Sequence, residues 1–110
     1  MILHINLRLY EFEAVAMKEY LISKLQDVTK LQGHAPDSDI VLSEWLTERF
    51  GAKVATIERR GPKTPQKVVI PVSVARILWK NWQEEMIPAT LTMVLGGIDA
   101  QLKNLNLHPR

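Results

Sequence analysis

Few residues of this chain have the types and spacings that catalysis or metal binding requires. Its three histidines are far apart in sequence, so nothing sets them out as ligands of one metal ion. These are His4, His34 and His108. The carboxylates of Glu11 and Glu13, and of Glu84-Glu85, are one or two residues apart, and such neighbours do not face one another on a helix. We therefore expect a protein that is not an enzyme and that uses no metal, no cofactor and no small-molecule substrate.

The lysines and arginines are concentrated between Arg49 and Lys67. This segment holds six of them and one glutamate, a net charge of 6 − 1 = +5. The whole chain carries +2, so the remaining residues sum to 2 − 5 = −3. A basic patch on a mildly acidic body is typical of proteins that bind a polyanion. The same charges would also suit a solvated loop, and the charge distribution alone does not separate these interpretations.

Length and composition limit the number of domains, the compartment and the membrane segments that we expect. A chain of 110 residues fits a single domain over residues 1–110, with enough buried surface for one core. There is no cysteine, which excludes disulfides and suits a reducing compartment, so we expect a cytoplasmic protein. Charges occur within the first dozen residues, and no apolar run approaches the ~20 residues of a membrane span. We expect neither a signal peptide nor a membrane partner.

The hydrophobic pattern predicts a mainly α fold with a small β element, in the α+β class. Apolar residues alternate with polar ones near the start, and they recur every three or four residues over longer stretches. The predicted elements are a strand over 2–9, a helix over 10–31, a helix over 40–50, a strand over 67–72, a helix capped by Ser73 and a helix over 88–107.

The segment over residues 44–61 has the features of two short helices that cross closely. A small residue, Thr47, is present where the helices would touch, and Gly51 would permit a sharp reversal of the chain. Three apolar residues would hold the two helices together: Leu46, Phe50 and Ile57. With these features the segment resembles the helix-turn-helix of phage repressors and Cro-like regulators.

The resemblance implies sequence-specific binding of double-stranded DNA by a small transcriptional regulator of the phage or mobile-element kind. Its second helix would enter the major groove. Residues directed at base edges would then be Lys53, Val54, Ala55, Glu58 and Arg59, with Thr56 directed at a thymine methyl or the backbone. Phosphate contacts would come from Ser43, Arg60 and Lys63.

An alternative structure remains open for this segment. Residues 52–60 and 66–72 would form the arms of a basic β-hairpin around the turn at Gly61–Pro65. Arg60 also departs from the helix-turn-helix pattern, which usually has an apolar residue there. A basic hairpin can bind nucleic acid too, so the predicted function depends less on this choice than the predicted fold does.

The C-terminal helices supply a predicted dimer surface. One helix-turn-helix covers only half of a DNA site, so we expect a homodimer. Trp79 lies off the apolar stripe of its helix, and Gly96-Gly97 would permit close approach of a second subunit. A different class of function is an interaction module, an adaptor or inhibitor, whose basic turn and C-terminal helices bind another protein.

Overall fold

The helices and strands follow one another in the order that the hydrophobic pattern predicts. The computed structural model describes residues 3–30 and 37–105, without the side chains of residues 26–30, 37 and 38. The described fold is mainly helical with a two-stranded antiparallel sheet, which confirms the α+β prediction. Its elements are β1 His4–Leu9, α1 Glu11–Lys30, α2 Asp37–Trp45, a π-helical turn Leu46–Phe50, α3 Gly51–Arg60, β2 Gln66–Pro71, α4 Val72–Glu84 and α5 Ala89–Asn104.

The sheet has one buried face and one exposed face. β1 and β2 pair antiparallel from His4 opposite Pro71 to Leu9 opposite Gln66. Because side chains alternate across a strand, Ile5, Leu7 and Leu9 of β1 and Val68 and Ile70 of β2 point to the same side and are buried, whereas Val69 lies on the exposed face. The strand at 66–71 therefore pairs with β1 and not with residues 52–60, so the hairpin alternative is wrong.

The helices pack against the buried face of the sheet and enclose one core. α1 begins at a capping interaction, in which the backbone N–H of Tyr10 donates to Glu13 Oε1 at 3.0 Å. Glu13 is thereby both buried and satisfied. Further along α1, Ala14, Met17 and Leu21 recur at three and four residues and are buried together with the sheet.

Residues 37–60 follow a helical path without a reversal, which corrects the turn predicted at Gly51. Gly51 has φ −57° and ψ −45°, ordinary right-handed helical values. Its N–H donates to the carbonyl of Leu46, five residues earlier, and this wider turn is π-helical. In a regular α-helix Trp45 and Phe50 would point about 140° apart. The wider turn brings both into the core, where their rings stack at 4.7 Å between centroids.

The last two helices are joined by a short connection and pack against each other. α4 begins at Val72 and is preceded by Pro71 in an extended conformation, so the predicted cap at Ser73 is wrong. α5 begins after Pro88 and continues through Gly96-Gly97 without a break, as predicted, to Asn104. The rest of the predicted helix, beyond residue 105, lies outside the described residues. Within the described part of the chain, none of the helices is long and apolar enough to cross a membrane.

Candidate nucleic-acid interface

The helix α3 is fixed by a narrow apolar side. Val54 and Ile57 are fully buried, three residues apart, and hold this side against the core. The helix ends at Gly61, whose φ of +91° is a conformation that side-chain-bearing residues rarely adopt. The remaining residues of α3 are therefore exposed or partly exposed on a helix whose orientation the core determines.

Five cations lie beside or on α3, and they come from three segments of the chain: β1, the continuous helical stretch 46–60, and β2. We call them the basic surface: Arg8 on β1, Arg49 in the π-helical turn, Lys53 and Arg60 on α3, and Lys67 on β2. Arg8 lies directly opposite Lys67 in the sheet register. Lys67 in turn lines one cleft with Arg49 and Lys53. Lys53 and Arg60 are seven residues apart, nearly two turns, so they project from the same side of α3.

Two depressions flank the exposed face of the sheet. The cleft on the α3 side has a volume of about 310 Å³, and Trp45, Phe50 and Val69 add apolar wall to the three cations. On the other side a groove of about 520 Å³ separates Arg8 and Lys67 from α5. Lys67 borders both depressions, so it links Arg49 and Lys53 on one side with Arg8 on the other.

None of these five cations has a carboxylate partner within salt-bridge distance among the described residues. Arg60 donates from Nη1 to a neutral acceptor, Gln66 Oε1, at 2.9 Å. Glu58 is five residues from Lys53, which turns it about 140° away around α3. Glu13 borders the groove next to Arg8, but it accepts the Tyr10 N–H.

The pairing of Arg8 with Lys67 is unfavourable for folding. Like charges directly opposite each other on two strands destabilise a sheet. No carboxylate of the described residues lies within salt-bridge distance of either side chain, although Glu13 borders the same groove. An external anion bound between Arg8 and Lys67 would remove the repulsion, so the pair is suited to anion binding.

The structure places the predicted DNA-binding residues in three different environments. Lys53 and Arg60 join the basic surface. Val54 is 0% exposed and packs in the core, so its predicted contact with a base edge is wrong. The helical period that puts Ile57 in the core also puts Val54 there.

The remaining predicted contacts lie on exposed or partly exposed positions around the basic surface. Thr56 donates from Oγ1 to the carbonyl of Ala52 at 3.2 Å and accepts from Arg59 Nη2 at 3.3 Å. Ala55, Glu58, Arg59 and Lys63 are exposed. Ser43 is partly buried on α2 and does not line either depression beside the sheet.

Three cations of the basic surface were not among the residues that the sequence assigns to DNA. Arg49 and Lys67 lie within the basic segment, but outside the helix that the resemblance directs at DNA. Arg8 is far away in sequence. The alternation in the sequence predicts that Arg8 lies on the polar side of its strand, but it does not predict that this strand pairs with β2.

The residues predicted for a dimer surface have contacts within the chain. Trp79 is partly buried against the core, and its Nε1 donates to Asp99 Oδ1 at 2.8 Å, which joins α4 to α5. A Cβ added to Gly97 would meet Leu7 Cδ2 at 3.3 Å, so this glycine accommodates β1. Gly96 is exposed, with no atom within 4 Å of an added Cβ.

A second polar cluster links α1 to the end of α4. Tyr20 donates to Glu85 Oε2 at 2.5 Å, and Lys24 Nζ lies 3.8 Å from the same oxygen. Burial of the phenol, with the hydrogen bond to Glu85 and the charge of that residue, raises the pKa of Tyr20 to about 12. The phenol stays protonated at neutral pH and serves as a hydrogen-bond donor between the two helices.

The basic surface is the candidate site that the described residues present. The side chains within residues 3–25 and 39–105 include no group of three or more histidine, aspartate or glutamate residues arranged to hold a metal ion. No protein-family model, curated protein or solved structure shows significant similarity to this chain.

Proposed function

We propose that this protein binds double-stranded DNA through the basic surface. The observation that carries the proposal is the convergence of five cations from three segments, without a carboxylate partner among the described residues. A surface of this kind attracts the phosphate backbone, because each lysine or arginine that neutralises a phosphate releases condensed counterions. The like-charge pair Arg8–Lys67 becomes favourable when a phosphate lies between its members.

A transcriptional regulator must distinguish one DNA sequence from another, and the contacts with base edges would come from the outer side of α3. The major groove admits an α-helix, and α3 carries Thr56 and Arg59 on positions that its core contacts leave free. An arginine in the groove donates to the two acceptors of guanine, which gives about 1–3 kcal/mol of discrimination for each bidentate pair. The cations of the sheet would meet phosphates and set the orientation of α3 without reading sequence.

The proposal extends to a homodimer that acts in the cytoplasm. One such surface covers a short stretch of duplex, and two-fold pairing doubles its contacts. The support comes from α5, where Thr92 and Gly96 are exposed four residues apart and line neither depression beside the sheet. Of the three residues predicted for the dimer surface, Gly96 is the one that remains suitably exposed.

Retention of an unbiased pool of DNA duplexes tests the proposal. We expect the wild-type protein to retain duplexes at low salt and to retain far fewer of them when Lys53 and Lys67 are replaced together by alanine. Both side chains project into the cleft beside the sheet, and neither is needed for the core. The matched control removes two exposed cations from α4, Arg76 and Lys80. Retention that is absent in the wild type, or equal in the two double variants, would contradict the proposal.

A second candidate function is binding of an acidic peptide in an extended conformation. Two observations favour it: the cleft has apolar wall from Trp45 and Phe50, and no described strand pairs with the outer edge of β2. A peptide added to that edge would make backbone hydrogen bonds and direct its carboxylates at Lys53 and Arg49. Binding that persists in high salt and needs Trp45 would favour the peptide, since phosphate binding weakens steeply with salt.

A further inference from the structure

Two aromatic rings are exposed at the junction of β1 and α1. Tyr10 is 40% exposed and Phe12 is 61% exposed. Their rings stack on each other, with centroids 6.0 Å apart and planes 19° from parallel. Aromatic side chains usually contribute to a core or to an interface, because each can remove about 150–250 Å² from water. Here the outer ring face is left open to solvent.

The aromatic pair continues the basic surface. Asn6 and Arg8 are exposed on β1, and Tyr10, the first residue after the strand, is exposed as well. At the same end of the sheet, Leu9 lies opposite Gln66, which binds the side chain of Arg60. The rings therefore follow Arg8 at the end of the sheet where Arg60, the last residue of α3, binds Gln66.

The chemistry of the pair differs from that of the cations. Glu11 and Glu13 share the first turn of α1 with Phe12, so this corner is unsuited to a further phosphate. A ligand that suits both the aromatic pair and the nearby cations is a flat, uncharged group attached to a polyanion. A nucleobase that is not paired is such a group, because it offers a π face while its own phosphate meets Arg8.

We propose that Tyr10 and Phe12 form a stacking platform for an unpaired base next to the duplex that the basic surface holds. The inference rests on the proposed DNA-binding function and narrows its ligand. The preferred substrate is then duplex DNA that continues into a single strand or contains an unpaired nucleotide. Stacking tolerates any base, since every base has a π face.

Fluorescence anisotropy with three labelled ligands tests this inference: a blunt duplex, the same duplex with a short single-stranded extension, and the single strand alone. We expect the extended duplex to bind most tightly. Replacement Phe12→Ala should lower affinity for it by about fivefold or more and leave the blunt duplex unaffected, as for loss of one stacked base. Phe12→Trp keeps an aromatic face and should retain the preference.

The control and the possible results separate this inference from the proposed function. Met86 is 100% exposed on the connection after α4, so Met86→Ala removes an even more accessible apolar side chain elsewhere. Equal binding of blunt and extended duplexes by the wild type, or an equal loss in the Met86 variant, overturns the stacking platform alone. Failure of all three ligands to bind overturns the DNA-binding function together with it.

Discussion

Reversal of the charge at Arg8 should stabilise the fold and weaken the binding of DNA. Arg8 and Lys67 face each other directly across the two strands, so an opposite charge at position 8 turns repulsion into attraction. The comparison of Arg8→Glu with Arg8→Gln isolates this effect, because the two new side chains have the same length and differ in charge. Both lose the same arginine stem, which cancels the change in packing.

The size of the effect follows from the cross-strand geometry. Directly opposite charges contribute about 0.2–1 kcal/mol, and Glu13, which borders the same groove, opposes part of the gain. We therefore expect the free energy of unfolding of Arg8→Glu to exceed that of Arg8→Gln by an amount in the lower half of that range. For a domain of this size it corresponds to a midpoint of thermal unfolding higher by roughly 1–3 °C.

Thermal and denaturant unfolding at two salt concentrations measure the difference. The difference in unfolding free energy between Arg8→Glu and Arg8→Gln should disappear near ~1 M salt, where the Debye length falls to about 3 Å. His4→Glu and His4→Gln form a control pair on the same exposed row, opposite the uncharged Pro71. His4→Glu should show no comparable gain, because Glu44 and Glu48 border the same depression as His4 and offset the attraction of Arg49. Equal stability of the two Arg8 variants at low salt would refute the reasoning, as would undiminished DNA retention by Arg8→Glu.

Two further predictions concern stability. Gly96→Ala should raise the free energy of unfolding by about 0.5–1 kcal/mol, because alanine favours the helix and its Cβ enters open space; Gly97→Ala should gain less, because its Cβ presses on Leu7, and an equal gain in chemical denaturation would contradict that contact. The pKa of Tyr20 is raised to about 12 in the fold against about 10 unfolded, so its stabilisation is complete below about pH 10 and is lost as pH rises through 12. Tyr20→Phe should therefore flatten the alkaline decline of the unfolding free energy, and parallel curves for the two proteins would count against the raised pKa of Tyr20.

The sequence predicts most of the fold because its signals are local. Period-two alternation predicts β1, and Gly61 with its two following prolines ends α3 at the expected place. Gly51 is different, because glycine fits both a reversal and a helix. The deciding factor is the burial of both Trp45 and Phe50, five residues apart, which the π-helical turn allows. Such tertiary packing is not encoded in the local pattern.

The candidate site was predictable only in part, for a related reason. Charge clustering in sequence identifies Lys53 and Arg60, because they lie within one basic segment. Arg8 joins them through the pairing of β1 with β2, across nearly sixty residues of chain. Conversely, Val54 lies in the basic segment but faces the core. Linear charge density thus indicates a region, whereas strand pairing and helix orientation determine which side chains share a surface.

The salt dependence of duplex affinity tests the central proposal most directly. If all five cations of the basic surface neutralise a phosphate, log affinity should fall against log salt with a slope of about −4.5. Removal of Lys53 and Lys67 should reduce the slope to about −2.7, whereas removal of Arg76 and Lys80 should leave it unchanged. A slope near zero in the wild type, or equal slopes for the two double variants, would contradict DNA binding through this surface.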